Sequence, residues 1–392
     1  MSVYSIDIQC APERMRKSAR RMALRAEKRY ADRVPVNFCA APRFFTPIFG
    51  MEYNEIFWDA LTQYRFLLDM MKFDIENFDD DICTEPVISI HPYFDNVTAS
   101  AAFGCEIAWP YNETPQAVPI LKAPEDVQTF AIPEPTAALW GRMIDWWEKM
   151  HEYALQTQIT FNGKPGRVEV APLTLNTLSP HMIAVDLVGD DFYWWMAECP
   201  QVCHTLLEKI TTGMIRAEEY ARKIDPRPRN GYALADDSAQ IISSNMFDEF
   251  IIPYDDRLFT LFGDDGPYGR GIHMCGHSTH LHDSLLNKLR MSSFILFGYP
   301  TQPEEIRSNL GSNCLLWGNV NPVNMLTKSA QLVKDEAGHV LEVLAPLGVL
   351  MLGDGANLCP GTPLENIRAL AEAAEKYAQT HPQYFPDTGA VE

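Results

Sequence analysis

The chain has 392 residues, 46% of them hydrophobic and 21% charged, with a formal net charge of −20. A core of ample size is therefore available, nucleic acid is opposed as a partner, and no apolar run reaches the roughly 18 residues of a membrane span. Nine cysteines are scattered without a CxxC, which argues for reduced thiols in a cytoplasmic protein rather than a disulfide framework.

Residues 13–33 carry nine Lys/Arg against three Asp/Glu, in an Ala-rich helical pattern broken before Pro35. We read 1–34 as an N-terminal helical extension, solvated or capping a barrel; a membrane-surface helix and a mitochondrial presequence are competing readings. From Pro35 onward, short β-branched runs alternate with amphipathic stretches. The runs are PVNF (35–38), EPVISIHP (85–92), RVEVAPL (167–173) and GYALADD (231–237). They continue as RGIHMCG (270–276), SFILFGYP (293–300), NCLLWGNV (313–320) and GVLMLGDG (348–355). Helical patterns occupy 54–73, 199–224, 246–262 and 364–378. Eight such repeats predict an α/β fold: a single (β/α)8 TIM barrel over residues 35–380. An open doubly wound sheet is the competing fold, and the lack of a GxGxxG turn after any run weakens its dinucleotide-binding form. A long connection after the second strand, roughly 93–135, is rich in proline and aromatics and reads as an ordered insertion. Residues 381–392 form a C-terminal tail.

The stretch GIHMCGHSTHLH (271–282) concentrates four histidines and a cysteine. On a strand, alternation puts His273 and Cys275 on one face, with Ile272 and Met274 toward the helical layer. Both ligand types then stand at the carboxyl end of a strand, where barrels of this kind carry their chemistry. Cys359 follows the eighth strand, at another such end. One imidazole and two thiolates suit zinc with a fourth position open; a buried histidine with two unreactive core thiols is the equal alternative on these residues alone. His277, His280 and His282 fall in the following loop and helix and read as solvated or supporting groups.

The chain resembles the uroporphyrinogen decarboxylase superfamily, and especially its zinc-dependent, corrinoid-linked methyltransferase branch, which includes coenzyme M methyltransferases. The resemblance runs through ADRVPVNF (31–38), HPYFDNVTASAAFGCEIAWP (91–110), AVDLVGDDFYWWMAECPQVCHTLL (184–207), LADDSAQIISSNMFDEFIIPY (234–254), HMCGH and CPGTPLENIRAL. It implies a single barrel and a zinc ion on His273, Cys275 and Cys359. The decarboxylase itself is the near alternative, but its arginine-bearing MRQAGR motif is replaced here by FCAAPRFF, with Arg43 alone. A substrate with eight carboxylates needs several basic partners. A non-catalytic barrel binding a corrinoid protein or tetrapyrrole is the third reading.

Further candidates stand at strand ends. His91, Asp236 and Asp237 are expected to orient substrate or move protons, with capping as the competing role for the aspartates. Arg43, Asn319 and Asp354 are expected to contact substrate. No DxHxxG motif is present, so the corrinoid is expected on a partner protein. The other partner is a small methyl donor, such as a methoxylated compound, or a thiol acceptor. A homodimer is compatible with the sequence. Trp146-Trp147 and Tyr193-Trp194-Trp195 lie in helical patterns and are expected to pack.

Overall fold

The computed structural model describes residues 4–386. Its strands are β1 (Tyr4–Ile8), β2 (Val87–Ile90), β3 (Glu106–Ala108), β4 (Gln116–Val118), β5 (Thr157–Phe161) and β6 (Lys164–Pro165). They continue with β7 (Arg167–Val170), β8 (Tyr232–Ala235), β9 (Arg270–His273), β10 (Ser293–Ile295), β11 (Leu315–Val320) and β12 (Leu350–Asp354).

All eight expected runs carry parallel pairing. β8 to β12 form one five-stranded parallel sheet in chain order, and β2 pairs with β7. Two single bridges extend the five-stranded sheet: Val36 joins Leu352 at one edge and Leu178 joins Ala235 at the other. PVNF is thus reduced to one bridge, yet its amide and carbonyl groups still find partners on β12 and Asp81. β12 is buried along its full length, as expected of a parallel strand covered on both faces. Helices separate the strands. Pro200–Ile224 opens on a proline, which suits the first helical position, and buries Cys203, Leu206, Leu207, Ile210, Met214, Ala217 and Ala221 at helical spacing.

Three expectations need correction. The N-terminal extension is not wholly helical. β1 precedes the helix Pro12–Ala26 and pairs in parallel with β5, while β5 turns through Asn162-Gly163 into β6. Nor is the basic helix solvated. Asp81, fully desolvated, accepts from Ser18 Oγ at 2.8 Å, and from Arg21 Nη1, Arg33 Nη1 and the Val36 amide at 2.9 Å each. Arg25, 1% exposed, donates to the Leu316 carbonyl at 2.9 Å under the start of β11. Its positive charge is spent on the fold, in the manner of a cap. The pattern at 246–262 splits into Ser244–Phe250 and Ile252–Phe262, because Pro253 cannot continue the first helix's hydrogen bonds.

The insertion contains the antiparallel hairpin β3–β4. Of the expected tail, residues 381–386 pack: Phe385 is buried, its ring 5.6 Å from that of Tyr30. Residues 387–392 lie outside the described part. Trp146 and Trp195 are buried on helices, and the Trp147 indole donates to the Ala171 carbonyl at 2.9 Å. Trp194 is the exception, at 71% exposed. Among the described residues no helix is long and apolar enough to cross a membrane.

Candidate metal centre

β8 and β9 pair so that Ala235 stands opposite His273. Just past these strand ends, Asp237 opens a short 3-10 turn (Asp237–Ile241) and Cys275 follows β9, and the hydrogen bond from the Cys275 amide to Asp237 brings the two together beside His273. Their ligand atoms all lie within 4.8 Å of one another, the one such group of three among the described residues. Asp237 Oδ1 accepts from the Cys275 amide at 2.7 Å and lies 3.4 Å from His273 Nε2. The other ring nitrogen, Nδ1, meets the carbonyl of Ile295 at 3.0 Å. A carbonyl can only accept, so Nδ1 carries the proton and Nε2 is left facing Asp237 and Cys275.

The electrostatics fit a group built to receive a cation. Burial works against the Asp237 carboxylate, yet His273 and the Cys275 amide hold it below the usual range. Burial likewise opposes the charged imidazole, and Asp237 outweighs it, raising His273. The Cys275 thiol is pushed up to about 12, first by burial and then by the negative charge of Asp237. A dication reverses that last shift, because a coordinating thiol is deprotonated. Imidazole, thiolate and carboxylate are all zinc ligands, and an imidazole locked through its far nitrogen is the arrangement metal-binding histidines use. These residues therefore fit a zinc ion.

Cys359 is not in the compact group. It lies in the loop after β12, where its carbonyl accepts from the Thr362 amide at 3.1 Å and hydroxyl at 2.8 Å. Its thiol is raised by burial, with Arg43 and Asp354 exerting opposite influences. Cys39 adds a further thiol that the sequence pattern did not single out. Its amide donates to Asp354 Oδ1 at 2.9 Å, its thiol to Asn357 Oδ1 at 2.8 Å, and Cys275 and Asp237 act on its charge. The available signal was its place just past PVNF, at the end of the first strand.

The remaining candidates divide. Asp354 is fully buried, Oδ2 has no partner, and burial pushes its carboxyl up to about 7. Asn319 is 4% exposed; its amide donates to the Thr301 carbonyl at 2.8 Å while its Oδ1 is unpartnered. Both therefore offer a free oxygen beside the strand ends. Arg43 is paired with Glu113 of the insertion at 2.7 Å, along a cavity of about 650 Å³ that Pro360 also lines. Asp236 does what a cap does: it accepts from the Ala239 amide at 3.0 Å, from Ser179 Oγ at 2.8 Å and meets His181 Nδ1 at 3.0 Å. Both its oxygens are occupied and it is 2% exposed, so it positions Asp237 rather than reaching a substrate. His91 lines a second cavity, of about 720 Å³, with its pKa lowered by burial. His282 is buried against Ser278 and Asn309, its pKa pushed down to about 4 by desolvation. His280 bonds to the Ile242 carbonyl and His277 to Thr279. The three form no part of the compact group.

Comparisons with known proteins bear on the family and the fold. The family described as Uroporphyrinogen decarboxylase (URO-D) matches residues 89–377. The chain is 23% identical over 299 residues to a methylated-thiol–coenzyme M methyltransferase of Methanosarcina mazei, covering 73% of this chain and 71% of that protein. It is 21% identical over 211 residues to a methylcobamide:CoM methyltransferase of Methanosarcina acetivorans, covering 53% of this chain and 58% of that one. Among solved structures, a methyltransferase from Methanosarcina mazei superposes with a TM-score of 0.68 at 18% identity, over 92% of this chain and 99% of that one. That superposition establishes the fold.

Proposed function

The chain belongs to the uroporphyrinogen decarboxylase family, and we propose that it is a zinc-dependent methyltransferase acting between a small substrate and the corrinoid of a separate protein. The eight parallel segments are read as a closed (β/α)8 barrel, with the chemistry at its carboxyl mouth. The observation that carries the proposal is the convergence of His273, Cys275 and Asp237 at adjacent strand ends. The names of the relatives, both methyltransferases, favour methyl transfer over decarboxylation. Arg43, the cation a polycarboxylate would need, is already paired with Glu113.

In this reading His273 Nε2 and Cys275 Sγ hold zinc, with Cys359 or Asp237 as the third ligand. Bound zinc supplies Lewis acidity toward a methyl donor and lowers the pKa of a thiol. The protein's own groups do the rest. The Ile295 carbonyl fixes the tautomer of His273, and Asp236, itself held by Ser179 and His181, fixes the loop that carries Asp237. In demethylation the bond from oxygen to methyl carbon breaks, and the methyl carbon bonds to reduced cobalt, which supplies the electron pair. The leaving oxygen then takes a proton, and Asp354, whose carboxyl is pushed up to about 7 by burial and whose Oδ2 is unpartnered, is suited to hold it. In the opposite sense a thiolate takes the methyl group from methylcobalt and releases reduced cobalt. We place the reaction in the cytoplasm, with a corrinoid protein docking at the barrel mouth and the enzyme acting as monomer or homodimer.

The test is methyl transfer by purified zinc-loaded protein. Free cob(I)alamin is offered with methoxylated donors and methylcobalamin with thiols, and the corrinoid spectrum is followed. Turnover in either direction supports the proposal. Decarboxylation of uroporphyrinogen by metal-free protein overturns it.

A further inference from the structure

We propose that the interior of the barrel below His273 is the binding site for the body of the methylated substrate, and that it takes a neutral, largely apolar, ring-sized group rather than a short anionic thiol. The inference rests on the methyltransferase reading for the methyl group itself, but the site is argued from the cavity alone.

Barrels of eight parallel strands ordinarily fill their interior with layers of large branched side chains. Here the pairing register places Ala233, Gly271 and Ser293 side by side in one layer. All three are small. A β-carbon built on Gly271 would come within 3.0 Å of Ala233 Cβ and of Ile295 Cδ1, so this position is closely packed and takes no larger residue without movement. Ala233 is exposed although it lies within β8, paired on one side to β9, and what it faces is the cavity of about 720 Å³. That size is in the range of sites for drug-sized ligands. The lining includes Ile295, whose carbonyl holds His273, so the cavity shares one wall residue with the support of the metal-binding imidazole.

The charges of the lining select against an anion. Arg229 is tied to the Leu173 carbonyl at 2.8 Å and lies 3.6 Å from Glu218, so its charge is answered from within the wall. His91 has its pKa lowered by burial, which disfavours the cationic imidazolium. Tyr268 and Asn230 add polar but uncharged groups at the lower end. A sulfonate or carboxylate entering here would lose its hydration without gaining a free cation, which is costly. An aromatic ring would lose only unfavourable contact with water.

The experiment is calorimetric binding to zinc-loaded protein of 2-methoxynaphthalene, methoxybenzene and 2-mercaptoethanesulfonate, for wild type, Ala233→Leu and Ala233→Phe. Zinc content and thermal midpoint are measured alongside to show that each variant folds. We expect 2-methoxynaphthalene to bind wild type more tightly than methoxybenzene, and Ala233→Phe to weaken it at least tenfold with zinc retained. Ala233→Leu, the milder change, should weaken it less. Unchanged affinity in folded variants, or no binding of either ring compound, overturns the inference. Binding that follows these expectations without methyl transfer would retain the site and sink the methyltransferase reading. Transfer to a thiol with no ring binding would do the reverse.

Discussion

Replacing Asp237 should weaken zinc binding in two separable steps. Its Oδ1 serves two groups at once, the Cys275 amide at 2.7 Å and His273 Nε2 at 3.4 Å. Asp237→Asn keeps an oxygen for the amide and removes the charge. A group that supports metal ligands in this way typically contributes about 10–100-fold in affinity, or roughly 1.4–2.7 kcal/mol. Asp237→Ala also leaves the Cys275 N–H without its acceptor, which adds about 1–3 kcal/mol where the donor is buried. The loss should therefore be graded, with alanine worse than asparagine. Competition with a chromophoric chelator reads both affinities on one scale. Zinc binding by Asp237→Ala as tight as that of wild type would refute the reasoning and leave the carboxylate a bystander.

Cys275→Ser and Cys359→Ser should each lose most of the zinc that the purified wild type carries, measured as metal per chain; full retention in both would remove the site. Asp81→Ala should destabilise the fold by about 3–5 kcal/mol in urea denaturation, the usual loss when a buried ion-pair network loses its shared partner, because Arg21 and Arg33 remain buried; a loss below 1 kcal/mol would contradict it. Asp74 and Asp80 are buried neighbours whose Oδ1 and Oδ2, respectively, have no hydrogen-bond partner. Burial raises both, Asp80 to about 7. Groups raised above their unfolded values add stability that is present below about pH 4 and lost as pH rises through the folded value. Stability should therefore fall between pH 4 and 8 through this pair, and Asp74→Asn should flatten that slope; an unchanged slope would count against these two carboxyls as its source.

The strand positions were legible because parallel strands buried on both faces announce themselves as short apolar runs between glycine and proline. His273 and Cys275 were legible for the related reason that alternation fixes the face a residue occupies. Asp237 was legible as a strand-end acid but not as their neighbour, since that depends on the register of β8 against β9, which no spacing within one run supplies. The place of Cys359 is set by a loop, and a loop's path follows from its contacts rather than its period. β1 carries its own signal, with Ile6 and Ile8 both buried, but so short an alternation is masked by the strongly basic helical pattern that follows it. The cavity was the least visible feature. Ala233 and Gly271 are ordinary small residues in their runs, and only pairing puts them in one layer.

The central claim is tested most directly by following the corrinoid spectrum while zinc-loaded and zinc-stripped protein are given cob(I)alamin and a methoxylated aromatic. The account predicts that methylcobalamin accumulates with zinc and that its formation stops when zinc is removed and resumes when it is restored. Equal rates with and without zinc would contradict it.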